Sequence, residues 1–254
     1  MASFGHRLRR AGLKFASNAI ATKTVPLSLA RPIVSFTFDD FPRSAATVGA
    51  DVLERHGARG TYYASGSLCG RTEDGIGYYG PEDLVSLHDR GHEIGSHTFG
   101  HTRTSTMTRT AIEEDVEKNH AFLKGILPGL VLEDFAYPFG DASPVSKLVL
   151  QRHYSSCRGT GEGLNVNRAD LGLLKAVAPG EHQSGRGKVV EAIADAVERK
   201  GWLIFYTHDV IETPTRWGCS PQLLDEAVGH AVHSGAAVLT IREALAVISR
   251  RGEG

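Results

Sequence analysis

Before Asp39 the chain has no acidic residue. The same stretch holds Arg7, Arg9, Arg10, Lys14, Lys23 and Arg31, with Phe4, Leu8, Ala11, Phe15 and Ala19 at helical spacing beside them. Two readings follow: a basic N-terminal arm over residues 1–30, or an amphipathic helix making peripheral contact with an anionic membrane surface. No apolar run approaches the roughly 18 residues needed to span a bilayer. Lys14 interrupts what would be the apolar core of a secretory leader. The expected location is therefore cytoplasmic, with the membrane surface as the alternative. Cysteine is scarce: Cys69, Cys157 and Cys219 are odd in number, far apart, and form no C-x-x-C. That excludes a disulfide framework and a structural zinc knot. A net charge of -1 gives no global field for nucleic acid. No G-x-G-x-x-G follows the first predicted strand, so the dinucleotide-binding fingerprint is missing. There is no internal repeat and no low-complexity linker.

What is present is alternation. The sequence predicts strands over 33–38, 61–64, 93–96, 134–137, 154–157, 173–177, 202–207 and 237–240. Helices are predicted over 45–56, 81–90, 109–127, 144–152, 188–200 and 221–233. Such order implies a parallel sheet with helices outside it. This many units favour a distorted (β/α) barrel of about seven parallel strands over an open doubly wound sheet. One domain over residues 31–254 accounts for the pattern.

In such barrels function gathers where the strands end. Those ends carry Asp39 and Asp40, then His97, "YPFGD" from Tyr137, Arg158, and His208 with Asp209. Carboxylates and histidines from separate strands converge on one face. "HTFGH" sets His97 and His101 four residues apart, a spacing that lets two imidazoles grip one ion. Among twelve histidines such a spacing is expected by chance, and His88 with His92 repeats it. That second pair ends before a strand, toward the opposite face, and reads as structural. Two histidines and one carboxylate leave positions open on a divalent ion, as catalytic sites do. One aspartate would then bind the ion and the other act as a base. The competing reading is that the pair caps the helix at Ala45. His208 faces the same site and can supply a proton. The "FAYPFGD" loop either offers backbone N–H groups to an oxyanion or is only a turn.

"TFDD", "HTFGH", "FAYPFG" and "FYTHD", in that order, resemble the motifs of carbohydrate esterase family 4, the polysaccharide deacetylases with the NodB homology domain. The likeness covers roughly residues 31 to 245. It implies a metal-dependent hydrolase that removes N-acetyl groups from an N-acetylated sugar in an oligo- or polysaccharide. It implies one divalent ion, zinc first, with Co2+, Ni2+ or Mn2+ as alternatives. Asp40, His97 and His101 would be ligands, Asp39 the general base and His208 the general acid. Phe139 would offer its backbone N–H to the oxyanion. Pro138 precedes it in the same motif, either facing the substrate or backing the residues that do.

Three positions depart from the family pattern. Phe41-Pro42 stands where Gly-Pro is usual, so a ring at Phe41 is expected to reshape the sugar cleft. Ala136 stands where an arginine often holds the base; Arg158 is the expected substitute. The aspartate that often orients the acid histidine is not plain, and Asp170 and Asp209 are the candidates. Two other functions fit the motifs: hydrolysis of a small or cyclic amide on the same barrel, and carbohydrate binding without catalysis.

Overall fold

The computed structural model describes Ser17 and residues 20–179 and 185–250. Its strands are β1 (Thr24–Leu27), β2 (Ile33–Asp39), β3 (Thr61–Ala64), β4 (Thr72–Glu73), β5 (Ile76–Gly77), β6 (Glu93–Ser96), β7 (Asp134–Ala136), β8 (Ser156–Arg158), β9 (Asn167–Asp170), β10 (Trp202–Thr207) and β11 (Ala237–Val238). Its α-helices are α1 (Ala50–Arg55), α2 (Pro81–Asp89), α3 (Arg109–Ile126), α4 (Pro144–Leu150), α5 (Gly185–Glu198), α6 (Pro221–His233) and α7 (Ile241–Ser249). A π-helical turn, Ala45–Gly49, leads into α1.

The main sheet is seven-stranded and runs β10–β2–β3–β6–β7–β8, with β11 also on β2. Every pairing in it is parallel. One edge of β2 is shared: Ile33 and Val34 pair with β11, and Thr37 to Asp39 pair with β3. The segment expected as a strand over 173–177 makes only single bridges, Leu174 to Arg158 and Val177 to Phe205. Those bridges still link β8 to β10 and close the ring. They are sparse because the segment leaves β8 to reach β10 within three residues. The distorted barrel is thus what the chain forms.

Strand period decides which side chains enter the barrel. Along β2, Val34, Phe36 and Phe38 join the large cluster beneath the helices, while Ile33 joins a second cluster with Tyr63, Ala136, Trp202, Ile204 and Tyr206. Ser35, Thr37 and Asp39 share the parity of Ile33. Ser35 accepts from the Trp202 indole at 3.0 Å, and Thr37 donates to the Phe205 carbonyl at 2.8 Å. On β10 the inward parity is Trp202, Ile204 and Tyr206, which points His208 inward one step beyond the strand. Gly95 lies on the inward parity of β6, where a Cβ would collide with the Tyr63 ring.

Several boundaries differ from the sequence expectation. The strand expected over 154–157 lies at Ser156–Arg158, because Tyr154 instead packs on Phe135 and meets His120 at 3.0 Å. Three elements were not expected: α7, the β4–β5 hairpin, and the antiparallel pair β1–β9. Through β1, residues 24–27 join the body rather than the arm. The buried Lys147 ammonium binds the carbonyls of Ser17 and Ile20 and the Asp170 carboxylate. Most of the amphipathic pattern, over residues 1–16, 18 and 19, lies outside the described residues. No helix among the described residues is long and apolar enough to cross a membrane.

Candidate active site

Because the strands are parallel, their C-terminal ends form one rim. Asp39 is the last residue of β2 and Asp40 the next; His97 follows β6, Arg158 ends β8, and His208 follows β10. The rim opens into a cavity of about 460 Å³, lined in part by Asp39, Asp40, His97, His101, Phe139 and His208.

Asp40 has a left-handed backbone, with φ 56°, a break from strand geometry just beyond β2, and its carboxylate lines the same cavity as that of Asp39. Asp40 Oδ1 lies 3.5 Å from His97 Nε2 and 3.3 Å from His101 Nε2. His97 Nδ1 donates to the Ala136 carbonyl at 2.8 Å, so its Nε2 lone pair faces the carboxylate. Ligand atoms of Asp40, His97 and His101 all lie within 4.8 Å of one another, and Asp40 Oδ1 is buried without a hydrogen-bond partner. Burial, then the charges of Asp39 and Glu73, push the Asp40 carboxyl well above the usual range. Burial pushes His97 down to about 3 and His101 down to about 4. Each of these groups would be relieved by one divalent cation between them. The residues therefore fit a metal ion held by one carboxylate oxygen and two imidazoles.

Asp39 has a different environment. The Arg158 guanidinium bonds its Oδ1, and both side chains are buried. Burial would raise the Asp39 carboxyl, but Arg158, His97 and His208 more than offset this and hold it below the usual range. Arg158 also binds the Gly159 carbonyl at 3.0 Å and lies between the rings of Tyr63 and Tyr206. Asp39 and Asp40 are thus adjacent in sequence and opposite in disposition. One stays ionised; the other demands a cation. Neither caps the helix after Ser44, which has no side-chain cap.

His208 Nε2 lies 3.9 Å from Asp40 Oδ2, on the far side of the cation pocket. Burial lowers its proton affinity, and Asp39 acts against that. Phe139, with φ 60°, is the middle residue of a 3-10 turn over Pro138–Gly140, in which the Gly140 and Asp141 N–H groups donate to the Tyr137 and Pro138 carbonyls. The Phe139 ring tilts over His101 at 4.5 Å between centroids, and Arg103 caps its other side at 3.7 Å.

Three sequence expectations do not fit the geometry. Phe41 is fully buried and stacks on Tyr79 at 4.1 Å, so its ring fills the core instead of reshaping the cleft. Pro138 is buried beneath the turn and backs Phe139, in keeping with the supporting place expected for it. Asp170 cannot orient His208: it is taken up by Lys147 at 2.6 Å and by the N–H groups of Lys23 and Gly172. Asp209 lines the cavity and its charge raises the proton affinity of His208, but its hydrogen bonds go to the Thr215 hydroxyl and N–H, so it does not orient the imidazole. His208 Nδ1 is buried with no aligned partner. His92, by contrast, bonds Glu54 at 3.0 Å and accepts from the Gly60 N–H, a structural role.

Several lining residues carry no sequence motif, Tyr78, Arg103, Thr160 and Trp217, and Tyr206 lies in one that gave it no role. Tyr206 was within reach of period-2 reading from His208. Trp217 was not, since the Asp209–Thr215 bonds that set its loop are tertiary.

A profile of the family described as Polysaccharide deacetylase matches residues 28–154, half of the chain. Among curated relatives, a chitin deacetylase of Arthroderma benhamiae is 28% identical over 96 residues, 38% of this chain and 24% of that protein. A chitin deacetylase of Colletotrichum lindemuthianum is 28% identical over 106 residues, 39% of this chain and 42% of that protein. The chain thus spans less than half the length of these relatives. Among solved structures, the Colletotrichum lindemuthianum chitin deacetylase superposes with a TM-score of 0.62 at 17% identity, over 85% of this chain and 89% of that one. A family 4 acetyl xylan esterase from Clostridium thermocellum, in complex with a cobalt ion, gives 0.61 at 20% identity, over 87% and 92%. At these identities the two structures speak for the fold alone.

Proposed function

This chain belongs to the polysaccharide deacetylase family, and on that premise we propose that it is a metal-dependent N-deacetylase of an N-acetylated sugar in an oligo- or polysaccharide. The observation that carries this reading is Asp40 Oδ1, buried, unpartnered, and faced by the Nε2 atoms of His97 and His101 at 3.5 and 3.3 Å. Zinc is the proposed ion, and cobalt, nickel or manganese suit the same donor set. When bound, such an ion supplies Lewis acidity and makes water nucleophilic near neutral pH.

The chain's own residues then divide the work. Asp39, kept ionised by Arg158, accepts the proton of the attacking water at its carboxylate. The Phe139 N–H points its dipole at the oxygen that gains charge as the acetamide carbon becomes tetrahedral. His208 Nε2, 3.9 Å from Asp40 Oδ2, passes a proton to the departing sugar nitrogen. The products are acetate and a free amine. Trp217, 42% exposed, offers a ring face to the sugar at the rim.

We propose a cytoplasmic location, with the basic segment before β1 as a peripheral membrane contact. Liposome co-sedimentation of the full chain against one starting near Ala16 tests the basic segment; equal binding to anionic vesicles refutes it. For the activity, the test is acetate release from short chitin oligomers, with and without chelator, followed by zinc or cobalt. Chelator-sensitive release restored by metal is expected. Stoichiometric metal with no release from any N-acetylated glycan would refute the glycan substrate, and no metal binding would refute the metal-dependent reading.

A further inference from the structure

The two histidines of the proposed cation site are joined by a loop with unfavourable backbone. Thr98 has φ 62° and His101 has φ 49°, left-handed values that a threonine or histidine adopts only when held there. Between them, Phe99 and Gly100 turn their N–H groups outward. Both are caught by one side chain: Asp115 Oδ1 accepts from Phe99 at 2.7 Å and Oδ2 from Gly100 at 3.2 Å.

Asp115 lies on α3, and its neighbours on the same helix face act on the same region. Asn119, one turn on and fully buried, donates to the Ala64 carbonyl at 3.0 Å and the Ser96 hydroxyl at 2.9 Å, and accepts from Gly66 at 2.9 Å. Lys118 lies 4.0 Å above the Phe99 ring, and Phe122 meets that ring edge-on at 5.9 Å. Positions i, i+3, i+4 and i+7 of a helix share one face. That face grips the chain on both sides of His97.

We propose that Asp115 is a positioning residue for the metal: by pinning the Phe99 and Gly100 amides it holds His101 Nε2 against Asp40 before any ion arrives. This rests on the reading of Asp40, His97 and His101 as the metal site. A charged acceptor of two backbone N–H groups is a strong clamp. Without it the loop relaxes toward ordinary backbone angles, and binding an ion must restore the strained form. Outer partners of ligand residues typically change metal affinity by about 10- to 100-fold.

The experiment is titration of zinc, and separately of cobalt followed by its visible absorption, into the metal-stripped full-length chain. Asp115→Ala and Asp115→Asn are compared with wild type and with Val116→Ala, which disturbs α3 on a buried position away from the loop. Melting of each metal-stripped protein is measured in parallel. The expected result is affinity about 10- to 100-fold weaker for Asp115→Ala, an intermediate loss for Asp115→Asn, which keeps one acceptor oxygen, and wild-type affinity for Val116→Ala at a lowered melting temperature. Equal affinity in wild type and both Asp115 variants overturns the proposal and leaves the metal site standing. Affinity that falls equally in Val116→Ala also overturns it, since general loosening of α3 would then be the cause. Wild type that binds neither ion removes the metal site itself, and the proposal with it. Asp115→Asn serves as the decisive variant if Asp115→Ala does not fold.

Discussion

Ala136 and Arg158 are register partners on β7 and β8, and Arg158 reaches from its strand to the carboxylate of Asp39. The backbone at Ala136 serves a second purpose, because its carbonyl accepts from His97 Nδ1. Paired residues on neighbouring parallel strands project to the same side. A guanidinium on β8 can therefore act on the same barrel mouth as one on β7.

Arg158→Ala should abolish most turnover and destabilise the fold by about 3–5 kcal/mol, the usual cost of stranding a buried charge. Arg158→Lys should retain part of both. The Asp39 carboxyl is held low in the folded protein, so its stabilising effect is present above the unfolded carboxylate range and lost as pH falls through the folded value. Loss of the guanidinium raises that value, and the acidic limb of kcat/KM should move to higher pH. A pH–rate profile of the residual activity of Arg158→Ala checks this; an unmoved limb would dissociate Arg158 from the base. Restoring an arginine in the double variant Ala136→Arg/Arg158→Ala should recover part of the lost rate.

The two aspartates should separate in assay. Asp39→Asn should bind metal as wild type does and lose most turnover. His97→Ala should lose both. Metal content after dialysis, read beside acetate release, distinguishes them. Intact activity in Asp39→Asn would reverse the assigned division of labour.

His208→Ala should keep the metal and lower kcat by about 100- to 10,000-fold, as expected for loss of a general acid. A substrate with an activated leaving amine needs less protonation and should lose less. Equal losses on both substrates would argue for a binding role.

His92 makes an independent prediction about acid stability. Burial lowers it to about 4, against an ordinary value of 6.5, and its Nδ1 accepts from Gly60. Below pH 6.5 the unfolded chain takes up the proton and the folded chain does not. Stability should therefore be complete above about 6.5 and fall as pH drops toward 4. Metal-loaded protein should show this through His92 once the ion occupies His97 and His101. Thermal melts from pH 7 to 4.5 should slope less in His92→Gln than in wild type.

Gly140 has φ 61°, and a Cβ there would land on the Thr160 hydroxyl. Gly140→Ala should cost about 1–3 kcal/mol from overpacking, with left-handed strain in addition. Thr160→Ala should recover part of that loss. Melts of the single and double variants measure it.

The sequence by itself determined the order of strands and helices, the rim on which Asp39, Asp40, His97, His101 and His208 gather, and the family. These follow from local rules: strand period, helix stops, and motifs in which neighbouring residues serve one site. The tertiary structure decided the remainder. Phe41 left the cleft because Tyr79, far along the chain, offered its ring a buried stack. Asp170 left the site because Lys147 and the 22–23 backbone competed for its carboxylate. The segment over 173–177, expected as a regular strand, closed the barrel through single bridges at Leu174 and Val177 because it had two different strands to reach. Asp115 reached Phe99 and Gly100 from a separate helix. Each of these outcomes turns on which distant group reaches a side chain first, and no periodicity along one segment carries that information.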